Sequence, residues 1–407
     1  MQDVGPAAWR ALAAGSFYQG YEWLRSIEGQ PGVANRLVLA RDGERVVGAL
    51  PCYASERGPS RRYDVHGVVR GMIDAAEAGD PDDWSPQLLV GAKAGYANRL
   101  LLDPELDPTA ADEAVRTLLE GALAEGSGCA AAAMFYVGRP DVERILPHLG
   151  PRTAVLLLSG HQVLEVGWDD FDGYVRSLPS SRRSLVRRDL KAFASSGCEL
   201  TTDRLRPRID ELVPLLMAVQ QVHGMQPTVE EITDYLTRCA AGALDERTVV
   251  FLCLRGGRPV AFALAYVHER RLFMRVFGRD YDATGPNAEY FQTLFYEPIR
   301  FAAEQHLDAI DFGIMAYKPK LIRGCSLRKL IRGCSLRPLW AVVFGPASGD
   351  CDWAATEASW NASAYRAWRE ECESLAGPLR EEEWLVRRPG DRSRSIAFAG
   401  LRAGGGS

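Results

Sequence analysis

At 407 residues, 47% apolar and 25% charged, the chain has enough material to bury a large core and fold as two domains of ordinary size. Its net charge of −5 argues against a protein that coats nucleic acid indiscriminately, so any polyanion site has to be local and no DNA partner is expected. Nine cysteines at scattered spacings, with no CxxC pair, argue against zinc and against a disulfide framework, and no metal site is expected.

The first half opens on a helix-like run, Trp9 to Glu28, which carries GSFYQGYEWL. NRLVLA at 35–40 and ERVVGALPCY at 44–53 flank the turn dipeptide Asp42-Gly43 and read as a hairpin. The Gly/Asp/Pro-rich stretch 55–85 reads as a long loop holding one helix. Strands are expected at 99–102, 130–136 and 155–158, with a helix at 110–125 between the first two. Strands alternating with helices imply an α/β fold. No N-terminal signal pattern is present, and the longest apolar runs, such as Cys129 to Val137, fall short of the ~18 to 20 residues of a membrane span, so a cytoplasmic protein without a membrane span is expected.

Residues 177–197 read SLPSSRRSLVRRDLKAFASSG. Pro179, Ser180 and Ser181 supply helix-start chemistry, and Val186, Leu190 and Phe193 recur at the spacing of one buried face. Arg183, Arg187 and Lys191 form a second stripe. Over residues 176–191, these three with Arg176, Arg182 and Arg188 stand against Asp189 alone, an excess of five positive charges. Such a helix is either a solvated face or a site for a phosphate-bearing partner, and the near absence of acids favours the second use.

The second half repeats the plan of the first. Helices are expected at 209–222 and 229–241. Two hairpins follow in VVFLCLRGGRPVAFALAYVHERRLFMRVFGRD, with turns at Gly256-Gly257 and Glu269-Arg270. A helix at 288–305 and a short strand at 309–312 complete it. VVGALP in the first half and PVAFALA in the second occupy matching hairpin strands, which points to two copies of one module. Beyond Gly345, Trp353, Trp360, Trp368 and Trp384 suggest helices packing on the body, ahead of a flexible tail at 399–407.

Between these regions the phrase KLIRGCSLR stands twice, at 320–328 and 329–337, directly before Pro338, Leu339 and Trp340. Nine residues are out of step with both the strand and the helix period, so one copy has to lie in a loop or end an element. The chemistry needs one copy. Lysine is scarce in this chain, five against an arginine-rich background, and three of the five fall at 318, 320 and 329.

GSFYQGYEWL, the arginine-rich helix and GPNAEYFQTLFYEPIRFAAEQHLDAIDFGIMAYKPKLIRG together resemble FemAB-like peptidoglycan aminoacyltransferases and related tandem-GNAT acyltransferases, over roughly residues 10–345. The resemblance implies two GNAT-like α/β domains with mixed sheets, 1–165 and 201–345, joined by the arginine-rich helix within 166–200 and followed by a helical extension, 346–407. It implies transfer of an acyl or aminoacyl group to an amine, with no resident cofactor. The glycine-rich phosphate loop of an ordinary GNAT domain is missing: DATGPNAEY at 282–290 offers only Gly285 and Pro286 before its helix. Charged tRNA is therefore the preferred donor over acyl-CoA, and the acceptor is a small amine or a cell-wall precursor. A non-catalytic binding module on the same fold is the remaining alternative, and the oligomeric state stays open.

Amide formation from an ester passes through an oxyanion, for which a compact lysine is suited. The expected catalytic set is Lys320, Lys318, Arg323, Asp311 and His223. Donor binding is assigned to Arg182, Arg183, Arg187, Arg188, Lys191, Gly285, Asn287 and Gly324, and acceptor binding to Tyr290, Tyr317 and Asp280.

Overall fold

The computed structural model describes residues 4–73, 78–285, 288–314, 316–322, 335–346, 351–376 and 379–386. The strands are β1 (Val33–Asp42), β2 (Arg45–Ser55), β3 (Gln87–Val90), β4 (Leu101–Leu102), β5 (Ala131–Gly138) and β6 (Thr153–Glu165) in the first half. In the second they are β7 (Cys198–Asp203), β8 (Thr248–Arg255), β9 (Arg258–His268), β10 (Arg271–Arg279), β11 (Ala309–Gly313) and β12 (Ser335–Phe344). All belong to one mixed sheet in the order β1-β2-β3-β5-β12-β6-β11-β10-β9-β8-β7, with β4 paired to β2. The halves are thus joined edge to edge through β6 and β11. The last strand, β12, crosses back to lie between β5 and β6 of the first half.

Both halves use the same local plan. An antiparallel strand leads into one that pairs in parallel, across a helix, with the strand that follows: β2-β3-β5 across helix Pro108–Glu125, and β9-β10-β11 across the helical run that starts at Ala288. Each parallel pair lasts three residues, Gln87–Leu89 against Ala131–Ala133 and Arg271–Phe273 against Ala309–Asp311, and then the strands part. In the first half Asn98 staples that opening. Its N–H donates to the Tyr136 carbonyl at 3.0 Å, its Nδ2 donates to the Val90 carbonyl at 3.0 Å, and its Oδ1 accepts from Gln19 Nε2 at 3.0 Å. Among the described residues the second opening has no such bridge.

Apolar alternation on both sheet faces explains the covering helices. Ile209–Val222 and Val229–Cys239 bury Leu212, Leu216, Ile232 and Leu236 with Leu264 and Tyr266 on one face of the second half. Ser180–Ala194 buries Val186 on the other face, beside Phe295 and Tyr296. The C-terminal helix Trp353–Ala376 is tied to β6: Glu357 accepts from the Val155 N–H at 2.8 Å, and Asn361 accepts from the Leu157 N–H at 2.7 Å while donating to the Val155 carbonyl at 2.8 Å. No described helix is long and apolar enough to cross a membrane.

Four expectations change. The run Trp9 to Glu28 is two short helices, Pro6–Leu12 and Tyr21–Ile27, because Gly15 adopts φ 73° between them and Phe17 and Tyr18 turn inward to 2% and 1% exposure. The strand at 99–102 shortens to β4. The strand at 155–158 extends through SGHQVLE to Glu165, since β12 and β11 pair successively along its length. β3, β7 and β12 were not expected; β3 is four wholly buried residues without a polar alternation to reveal it. Most of the duplicated phrase, 323–334, and the tail at 399–407 lie outside the described residues. KLI of the first copy is seen in helix Tyr317–Ile322, and SLR of the second copy opens β12.

Candidate active site

The two halves enclose a cavity of about 170 Å³, walled by Trp23, Lys93 and Tyr96 from the first half and Tyr235, Arg238 and Arg275 from the second. Arg275 gets there through a register shift. β10 slips against β9 between Met274 and Val276, so Arg275 is the extra residue, and its side chain is re-aimed at the cavity. Four rings surround its guanidinium, those of Tyr18, Trp23, Tyr96 and Tyr235, with centroids 5.0–5.9 Å away. It has no carboxylate partner among the described residues, and its Nε lacks an acceptor. Lys93 is 2% exposed and its Nζ also lacks an acceptor. Burial pushes the Lys93 ammonium down to about 8, opposed by Glu28 and reinforced by Arg238. The Tyr235 hydroxyl is a third buried polar group without a partner. A buried ammonium without an acceptor and a buried guanidinium short of one at Nε, in one cleft, are complementary to an anion.

On the same sheet face, Asp311 ends the paired part of β11, opposite Phe273, where β10 and β11 part. Its Oδ1 lies 2.7 Å from Nε2 of His161 on β6 and accepts from the Gly313 N–H at 2.8 Å. Burial pushes the Asp311 carboxyl up, but the His161 imidazole, the Gly313 amide and the Lys320 ammonium outweigh it and hold the group below the usual carboxylate range. Lys320 donates to the carbonyls of Phe312 at 2.8 Å and Ile314 at 3.1 Å, clamping the turn that follows β11. Tyr96 links the two clusters. It walls the cavity, and its ring would lie 3.4 Å from a Cβ on Gly313, whose φ of 66° makes that turn.

These features define a cleft at the seam of two like halves, with one stapled and one open strand divergence. A family model described as peptidoglycan biosynthesis and recognition matches residues 1–330. The chain belongs to the FemAB-like family. It is an acyltransferase. No curated protein matches the sequence. Among solved structures, FemX is similar at 12% identity, covering 84% of this chain and 96% of FemX with a TM-score of 0.53. The C-terminal domain of a protein assigned as a lysylphosphatidylglycerol synthetase from Agrobacterium fabrum is similar at 13% identity, covering 88% and 96% with a TM-score of 0.50. At such identities the likeness concerns the fold.

Within this FemAB-like frame the sequence candidates separate. Asp311, Lys320 and Tyr317 come together around the β11 turn, Tyr317 through a 2.8 Å hydrogen bond to Ser159. Lys318 is exposed one turn away. Arg187, Arg188 and Lys191 are exposed, without ion pairs among the described residues, on a helix that packs against Ala288–Phe291. Arg182 is half-buried on the same helix. Arg183 instead donates to the carbonyls of Arg176 and Leu178, at 3.2 and 2.9 Å. The Gly285 N–H donates to Glu289 at 3.1 Å, and Arg255 donates to the same carboxylate at 3.2 Å. Asp280 caps its own turn by accepting from the N–H groups of Asp282 and Ala283, and Tyr290 packs against Phe277 and Phe295. His223 stands exposed at the end of helix Ile209–Val222. Arg323, Gly324 and Asn287 lie outside the described residues.

Sequence reasoning missed His161, Lys93 and Arg275. Lysine scarcity marked Lys93 as well as the later three, and Arg275 interrupts the apolar run LFMRVF; neither signal says which partners the fold supplies.

Proposed function

We propose that this FemAB-like enzyme transfers an aminoacyl group from aminoacyl-tRNA to an amine of a small acceptor, whose anionic group rests on Lys93 and Arg275. The carrying observation is the unpaired cationic face of Arg187, Arg188 and Lys191 on the helix that flanks the second, open divergence. A polyanionic donor gains from each such cation by phosphate contact and counterion release. The loop where an acyl-CoA phosphate would sit supports the same choice, because the Gly285 amide is held by the Glu289 carboxylate and a phosphate there would meet a like charge. The buried cations of the cavity support an acceptor that brings its own negative group, since a neutral ligand would leave two charges uncompensated.

In this reading the enzyme works chiefly by position. The acceptor's anion anchors in the cavity, its amine extends past Tyr96 toward Asp311, and the aminoacyl ester enters between β10 and β11 from the helix side. Holding both reactants in such a geometry removes much of the entropic barrier to aminolysis. The test is donor consumption: purified protein is incubated with total charged tRNA, or with a panel of acyl-CoA thioesters, in the presence of mixed amino acids as amines. Loss of charged tRNA supports the proposal, and consumption of thioesters alone overturns the donor.

A further inference from the structure

We propose that His161 is the general base of the transfer, with Asp311 as its positioning partner; this rests on the transfer reading above. The fold brings them together from 150 residues apart. His161 lies on β6 and Asp311 on β11, neighbouring antiparallel strands at the seam between the halves. Their contact of 2.7 Å from Nε2 to Oδ1 buries both side chains, to 11% and 5% exposure. The carboxylate is fixed in turn by the Gly313 N–H. An ionised carboxylate facing Nε2 requires that nitrogen to carry the proton, so Nδ1 is left as the basic nitrogen. Nδ1 has no partner among the described residues. The pair stands where β10 and β11 separate, on the face that carries Tyr18, Tyr96 and the cavity.

A structural role alone explains this arrangement poorly. Burying a carboxylate and an imidazole for stability alone is seldom a net gain, and a hydrophobic pair in these strands would pack as well. A base at this place has work to do. The acceptor's amine, having lost one proton to water, attacks the ester carbonyl, and Nδ1 takes a proton from the attacking nitrogen. A C–N bond forms and the carbonyl π pair moves to oxygen. As the tetrahedral species collapses, the C–O bond to the ribose breaks, and the departing 3′-oxygen takes the proton back from the imidazolium. The sum is ester plus amine giving amide plus alcohol, with no other reactant.

The groups that face the pair are Asp311 on β11, Arg337 opposite His161 on β12, Lys320 behind the carboxylate, and Tyr18 and Tyr96 from the first half. Asp311 is engaged by His161 and the Gly313 N–H, and the protonated cations have no lone pair with which to accept a proton. The experiment compares wild type, His161→Ala, His161→Gln and Asp311→Asn with whichever donor, charged tRNA or an acyl-CoA thioester, the wild type consumes. His161→Gln keeps a donor toward Asp311 and cannot accept a proton. It is expected to lose about 100-fold in kcat, with KM and melting temperature little changed. The rising acid limb of the wild-type pH–rate profile should vanish in both His161 variants, and added imidazole should restore turnover to His161→Ala. Turnover by His161→Gln within threefold of wild type, or an acid limb that survives in it, overturns the base. Wild-type protein that consumes neither donor overturns the transfer reading and this proposal with it.

Discussion

The ammonium of Lys93 lies 4.9 Å from the ring centroid of Tyr53 and has no hydrogen-bond acceptor of its own. The ring face compensates part of the charge, and burial brings the group down to about 8. Its charge therefore titrates far below the range of an exposed lysine.

The first prediction follows from that titration. An anion in the cavity needs protonated Lys93, so affinity for sulfate, whose own charge is constant, should be full below pH 7 and fall toward tenfold per unit above about 8. Quenching of Trp23, which lines the cavity, reports the binding. Lys93→Met should weaken sulfate and flatten the dependence. The stability of the free protein runs the other way. A lysine whose folded value is depressed destabilises fully below that value, and the penalty fades as pH rises toward its unfolded value near 10.4. Lys93→Met should thus melt higher than wild type at pH 6 and alike near pH 10.5.

A second prediction concerns the exposed cations. Arg187→Glu with Arg188→Glu should leave the melting temperature within a few degrees, because both side chains are exposed and unpaired. It should weaken tRNA binding and lower the slope of log K against log salt by ~0.7 to 0.9 per lost phosphate contact. Filter binding across a salt series measures this. A slope equal to that of wild type would return the helix to a solvated face.

The sequence made the repeated module, both second-half hairpins and the cationic helix legible because each is local: a period, a turn dipeptide, a run of like charges. Asp311 was also legible, as an acid at the end of a short strand. His161 was not, because the strand around it was read as ending at 158, and its partner is set by β6–β11 pairing across 150 residues. Arg275 depends on a one-residue register slip in β10, which apolar patterning does not encode. Lys320 was expected to face the reaction. Its ammonium points instead to two main-chain carbonyls, since a turn that leaves carbonyls buried draws the nearest cation to them.

The third prediction tests how the aromatic wall is held. Gly95 has φ 108°, and a Cβ there would stand 2.3 Å from the Tyr18 ring. Gly95→Ala meets both a disfavoured backbone and an unyielding ring, so a loss of roughly 2–4 kcal/mol is expected. Gly256→Ala is the control. It also has positive φ, 57°, but open space at its Cβ, so it should cost only about 1 kcal/mol. Urea titrations of the two variants separate strain from steric overlap. Equal losses would mean that Tyr18 moves aside freely and does not fix the wall around Arg275.

The last prediction concerns the duplicated phrase. Deleting 329–337 removes SLR from the start of β12, yet SLR at 326–328 then precedes Pro338, so the strand keeps the sequence SLRPLWAVVF. Only the connection changes: Ile322 is joined to that strand by three residues instead of twelve. Those three give four Cα steps, a reach of about 14 Å. Leu321 and Leu336, which flank this connection, belong to one apolar core. The shortened chain should fold, and a fourfold shorter connection should stabilise it by about 1 kcal/mol. Lys320→Met in that chain leaves the carbonyls of Phe312 and Ile314 without their donor, which should cost on the order of 1–3 kcal/mol of stability. It also removes a charge that helps keep Asp311 ionised, so turnover should fall further than the melting temperature alone explains. Thermal melts and donor consumption on the three chains provide the check. If the deletion unfolds the protein, both copies are structural; if Lys320→Met lowers stability but not turnover, the lysine serves the turn alone.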